Sequence, residues 1–391
     1  MLGIIISVFA IMSVLTLGEN IKGYVFAEVE SFGSDIIQVE VSLPEKEHVS
    51  VDNFSSMAMG AQITTLTEKD AEAIAKLPNV KAYNIGITSQ SLLKYESELD
   101  YAVLLGSSYT APVVDKAVKL AGGRFFTQTE EETSAQVLIL GSEVAKSFFG
   151  EINPVGKKVK LGGTTYRVVG VLEERGSIFG FNFDEMVYIP YTTLQKKIMG
   201  IDHVQYIMVK VNDVEKIDRT TEDIRNILRL RHDINKPIYD DFSAISMQES
   251  LEIIGVIFDS LNILLVALAT ISLIVGGVGI MNIMLVSVEE RGQEIGIRKA
   301  LGARENDILN QFIAESIVVS FLGAVVGVII CSVFLWILFF AINTKGFDID
   351  FSIPLRAILV SGIFSLVAGL VFGIYPAKIA SKVNPMEAIR S

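Results

Sequence analysis

The chain has 391 residues, half of them hydrophobic, with 45 acidic against 33 basic side chains and a single cysteine. A formal net charge of −12 argues against nucleic acid as a partner. A mean hydropathy of +0.47, with the apolar runs confined to the two ends, excludes an ordinary water-soluble domain and describes a membrane protein with one large polar part.

Four apolar runs are long enough to cross a bilayer as helices: residues 1–18, 261–288, 313–342 and 358–375. The first lacks the basic flank and small-residue cleavage site of a signal peptide, so it reads as a retained helix with a short or missing upstream flank. Orientation follows from the basic residues. Arg291, Arg298, Lys299 and Arg304 lie between the second and third spans, and Lys378, Lys382 and Arg390 lie in the tail 376–391. Both segments are therefore expected in the cytoplasm, which places 19–255 and the loop 343–357 outside. The region 19–255 carries 35 acidic and 24 basic residues, so −11 of the total −12. With Cys331 inside the third span, the outer region must fold on its own core without a disulfide.

The outer region reads as α+β. Residues 67–77 form a helix with Thr67 at the N-cap and Asp70 at N3, stopped at Pro78, and VKAYNIGI follows as a strand. HVQYIMVKV is a second strand, followed by a helix with Ile217, Ile224, Ile227 and Leu228 on one side. These pieces suggest an α/β subdomain interrupted by a β-rich subdomain over 121–201. The insertion holds the helix SEVAKSFF, the turn NPVG, and the strands KKVKL and TTYRVVGVL joined through Gly162 and Gly163. Phe179, Phe181 and Phe183 in its last loop either cap the β core or touch a partner.

Ser246 and Glu249 form an S-x-x-E capping box, and no proline interrupts residues 246–309. One long helix, or two nearly collinear ones, would join the outer region, the bilayer and a cytoplasmic connector at 289–309. Ser272 with Gly276, Gly323 with Gly327, and Gly369 with Gly373 stand four residues apart in three spans, a spacing that permits close helix packing in a bundle or dimer. Charge within the spans is nearly confined to Glu315 at one end, which gives no sign of an ion path or proton relay.

Catalytic signatures are wanting. In GEINPVGKK the two glycines stand one residue too far apart for a phosphate loop, and Lys158 occupies the Ser/Thr position. His48, His203 and His232 are scattered without ligand spacing, and neither G-x-S-x-G nor H-E-x-x-H occurs, so no metal or cofactor is expected in this chain.

The segment GGVGIMNIMLVSVEERGQEIGIRKALGA, residues 276–303, resembles the second-helix and connector motif of MacB-type ABC transporter permeases, members of the FtsX-like permease superfamily. The tail YPAKIASKVNPMEAIRS and the stretch VLILGSEVAKSFFGEINPVGKKVKLGGTTYRVVGVL are similar to the same family, so the likeness covers almost the whole chain. The basic approach to the first helix and the ATPase domain fused in some members are missing from the pattern. The resemblance implies a homodimer of permeases in the bacterial inner or cytoplasmic membrane, docked on ABC ATPase subunits that hold ATP and magnesium. An outer domain would expel antibiotics, peptides or other amphipathic substrates by mechanotransmission, often through a membrane-fusion adaptor protein. A signalling permease that regulates cell-wall hydrolases and a lipoprotein-release permease are the alternatives. Within the connector, Glu289, Glu290, Arg291, Glu294, Ile295, Ile297, Arg298, Lys299 and Leu301 are the candidate ATPase-coupling residues, with Ile295, Ile297 and Leu301 as apolar contacts.

Overall fold

The computed structural model describes residues 2–31, 33–42, 64–96, 98–178, 181–344 and 351–384. Two compact units emerge, a helical unit of Met1–Phe26 with Ile253–Ser391 and a sheet unit of Ala27–Glu252.

Helix α1 (Leu2–Ser31) runs well past the expected end at residue 18, because no proline follows and Gly23 alone does not break a helix. In the sheet unit the strands are β1 (Ile36–Val41), β2 (Val80–Tyr95), β3 (Glu98–Ser107), β4 (Leu120–Gly123), β5 (Val137–Leu140), β6 (Lys158–Leu161), β7 (Thr164–Leu172), β8 (Ser177–Ile178), β9 (Phe181–Asn182), β10 (Met186–Pro190), β11 (Tyr206–Val211) and β12 (Phe242–Ser246). The principal helices among them are α2 (Glu68–Ile74), α3 (Ser142–Phe149) and α4 (Ile217–Arg231). Local chemistry accounts for several boundaries. The Asp70 carboxylate accepts from both Thr67 N and Thr67 Oγ1 at 2.7 Å and starts α2. Gly162 and Gly163, at φ +54° and +86°, make the turn between β6 and β7 that a side chain would strain. On α4, Ile217, Ile224 and Leu228 are buried at helical spacing, with Ile227 half-buried beside them.

Ten strands pair in the order β12-β1-β11-β2-β3-β10-β5-β7-β4, with β6 joining β7 to β2. The pairing β2, β3, β10, β5, β7, β6 and back to β2 closes a circuit, in which β3–β10 and β5–β7 are parallel. The β-rich part thus has no sheet break at residue 121, because it closes on β2 and β3 from the flanking segment. Leu93 and Leu104 of that segment share one buried cluster with Leu138, Val159, Tyr166 and Val187. A buried ion pair fastens the same join: Arg175 Nη1 stands 2.8 Å from Asp115 Oδ2, and the Arg175 guanidinium lies over the Phe183 ring. Phe183 packs half-buried on the core, whereas Phe179 and the Phe181 side chain lie outside the described residues. His232, expected to stand alone, has Nδ1 2.7 Å from Asp241 Oδ1 and lies beside Asp70, partners that adjacency in sequence could not disclose. His48 lies outside the described residues.

The helical unit holds α6 (Gly292–Ala300), α7 (Glu305–Asn343) and α8 (Leu355–Ser381), besides most of α1 and of α5 (Met247–Glu290). Among the described residues four helices, α1, α5, α7 and α8, are long and apolar enough to cross a membrane. At the start of α5 only half of the expected capping box forms. Ser246 Oγ accepts from Glu249 N at 3.0 Å, but the Glu249 carboxylate turns to Arg225 Nη2, 2.9 Å away, instead of to the N-cap amide.

Candidate functional site

Of the two forms expected over 246–309, one long helix or two nearly collinear ones, the chain takes separate helices. Helix α5 ends at Glu290, Arg291 adopts φ −95° and ψ 11°, and α6 begins at Gly292. Hydrogen bonds from Arg291 N to Ser287 O and from Ile295 N to Arg291 O, each 3.0 Å, carry the ladder across this residue. Past Leu301, Gly302 at φ +102° ends α6 in the left-handed conformation that suits glycine, and α7 starts three residues later. The connector is therefore a short separate helix suspended between two long ones.

Its apolar residues face two ways. Ile295 is 4 % exposed and packs with Val288, Ile308, Phe312, Ala377 and Ala380, whereas Ile297 is 46 % exposed and Leu301 84 %. Two residues along a helix turn about 200°, so Ile295 and Ile297 must point oppositely, while Ile297 and Leu301, four apart, share a face. Of the three expected docking contacts, Ile295 belongs to the chain's own core and the other two are open.

The charged residues divide in the same way. Glu289 and Glu290 are exposed at the end of α5. Arg291 reaches Glu315 on α7 at 3.3 Å. Arg298 bridges Glu294 at 2.6 Å and Gln311 at 2.7 Å, and both members of the Glu294 pair stay half-exposed. Lys299, expected to face a partner, turns inward. Its Nζ donates to Ser381 O at 2.8 Å and Val383 O at 3.0 Å, where α8 ends. No local pattern could have disclosed that contact, since its acceptors are backbone atoms some eighty residues away.

The small residues pack within the chain. Gly276 meets Gly3, with an added Cβ only 2.7 Å from the Gly3 carbonyl carbon. Gly323 lies against Ile4 and Gly327 against Val8, while Gly369 and Gly373 receive Ser320 and Ser316 of α7. Ser272 alone among the six is exposed. Ser365 Oγ donates to Ser320 O at 3.1 Å in the same seam. Close approach of α1, α5, α7 and α8 is thus built from residues without bulk.

The family model described as MacB-like periplasmic core domain matches residues 1–227, and that described as FtsX-like permease C-terminal matches 266–385. The chain belongs to the MacB-like, FtsX-type permease family. The second match contains the whole of α6 and α7 and the part of α5 from residue 266 onward, so the connector lies in the permease part. Among curated relatives, the macrolide export ATP-binding/permease protein MacB of Azoarcus sp. (strain BH72) is 32 % identical over 397 residues, and its namesake in Hyphomonas neptunium is 34 % identical over 393. All of this chain is aligned in both cases, but it spans only 56 % and 58 % of those proteins. The crystal structure of the periplasmic region of MacB from Actinobacillus actinomycetemcomitans aligns with 58 % of this chain and 95 % of its own, at 21 % identity and a TM-score of 0.48.

Proposed function

We propose that this chain is the permease subunit of an ABC transporter, and that the open face of α6 receives a separate ATPase subunit. The carrying observation is the exposed pair of Ile297, on a nine-residue helix whose opposite face is anchored in the bundle, and Leu301 at that helix's C-cap. A protruding apolar pair on a short helix suits a groove on a partner. ATP and magnesium would be held by that partner. The basic residues around α6 and after α8 support a cytoplasmic position for both in a bacterial cell membrane, with the sheet unit outside.

In this reading, closure of the ATPases displaces α6, and α5, which is helical without interruption from residue 247 to 290, carries the displacement toward the sheet unit. Mechanotransmission of that kind needs no substrate path through the bundle. A permease homodimer, an outer adaptor protein and export of antibiotics, peptides or other amphipathic substrates complete the proposal. The relatives' name, macrolide export, favours transport over cell-wall signalling or lipoprotein release.

Ile297→Asp and Leu301→Asp each put a charge on the docking face without disturbing the bundle core. Truncating an interface anchor commonly costs over about 1 kcal/mol, so co-purification with the ATPase is expected to fall at least about fivefold. Undiminished co-purification of both variants would remove the docking assignment.

A further inference from the structure

The contact of Lys299 with the end of α8 has a mechanical use. The last carbonyls of a helix lack partners within it and carry the negative end of its dipole. Lys299 Nζ takes two carbonyls at that end, from Ser381 and Val383, and stands 3.9 Å from Glu305 Oε1. Its side chain is only 12 % exposed, so these bonds are largely sheltered from water. Ile295, on the same helix, packs in one cluster with Ala377 and Ala380 of α8. Helix α6 is joined covalently to α5 and α7, and Lys299 and Ile295 tie it non-covalently to α8.

From this geometry we infer that Lys299 is a positioning residue that makes the end of α8 move as one body with α6. A displacement received by α6 then enters the bundle through α8 directly, as well as through α5 and α7 along the chain. This inference rests on the docking reading for its use, though the clamp itself is testable without an ATPase.

In the permease alone, reconstituted in lipid nanodiscs in a Cys331→Ser background, spin labels at the exposed positions Gln293 and Lys378 report the separation of α6 and α8. The distance distribution is expected to be narrow, to broaden with Lys299→Met, which keeps the stem and loses the donors, and to narrow again with Lys299→Arg. An unchanged distribution in Lys299→Met overturns the clamp, whatever the fate of the docking assignment.

A second arm uses the complex with the ATPase and a cysteine at Leu355, exposed at the far end of α8. ATP is expected to change the rate at which fluorescein maleimide labels it. Loss of charge-assisted hydrogen bonds should cut that change about tenfold in Lys299→Met, with the ATPase still bound and Lys299→Arg restoring the response. A full ATP response in Lys299→Met, or loss of the ATPase from that variant alone, overturns the proposal. Loss of the ATPase from every version, with the spin-label result intact, would instead remove the docking reading.

Discussion

Glu131 carries a pH dependence into the sheet unit. It is 8 % exposed, its carboxylate accepts from Tyr109 N, and burial, with Glu68 and Glu132 nearby, raises its carboxyl from the ordinary value to about 7. A carboxyl raised on folding favours the protonated fold. Its stability is complete below about pH 4.5 and is lost as pH rises through about 7. At 1.36 kcal/mol per pKa unit the loss approaches roughly 3 kcal/mol by pH 8. Glu131→Gln should remove it, leaving the unit little changed at pH 5 and more stable at pH 8. Urea unfolding of the detergent-solubilised chain, followed by circular dichroism at both values, measures this; equal shifts at the two pH values would contradict it. Neighbouring Glu130 works in the opposite sense, since the Arg124 guanidinium holds it down at about 2, and its contribution is lost only as pH falls toward that value. Neither environment was legible in the run TEEET, because charge spacing shows a helix start but not which carboxylate the rest of the fold covers.

At the scale of the element, α6 separates two substitutions that look alike in sequence. Ile295→Asp buries a carboxylate among Val288, Ile308 and Phe312 and should destabilise the helical unit by about 3 kcal/mol or more. Ile297→Asp should leave its stability nearly unchanged. Thermal unfolding midpoints in detergent measure the difference, and equal losses would show that the two faces are not distinct. The glycines of α8 and α5 show a similar distinction. Gly369→Val would drive a side chain onto Ser320 and should cost about 2 kcal/mol by overpacking, whereas Gly279→Ala meets nothing within 4 Å. An apolar run and a four-residue spacing made the helices and their small-residue seams readable. The assignment of Ile295 and Lys299 to the inside was not, because a nine-residue helix between glycines carries too few turns to show which stripe is buried. The half-formed cap at Ser246 failed for a related reason: Arg225, distant in sequence, competes for the Glu249 carboxylate.

For the molecule as a whole, hydropathy marked the four membrane-length helices and the alternation of strands and helices marked the α+β unit between them. The closed circuit of strands was hidden, since it depends on β6 meeting β2 across more than sixty residues at Leu161 and Leu93. Topology is tested with single cysteines in the Cys331→Ser background. Thr133→Cys should react with an impermeant maleimide in intact cells, whereas Asn306→Cys should react only after permeabilisation; the reverse would overturn the orientation. The coupling claim is tested most directly by a photo-crosslinking p-benzoylphenylalanine placed at Leu301 in cells that make both permease and ATPase. A Leu301 adduct with the ATPase, absent when the probe stands at Thr133, is the expected result. ATPase adducts from Thr133 and none from Leu301 would contradict it.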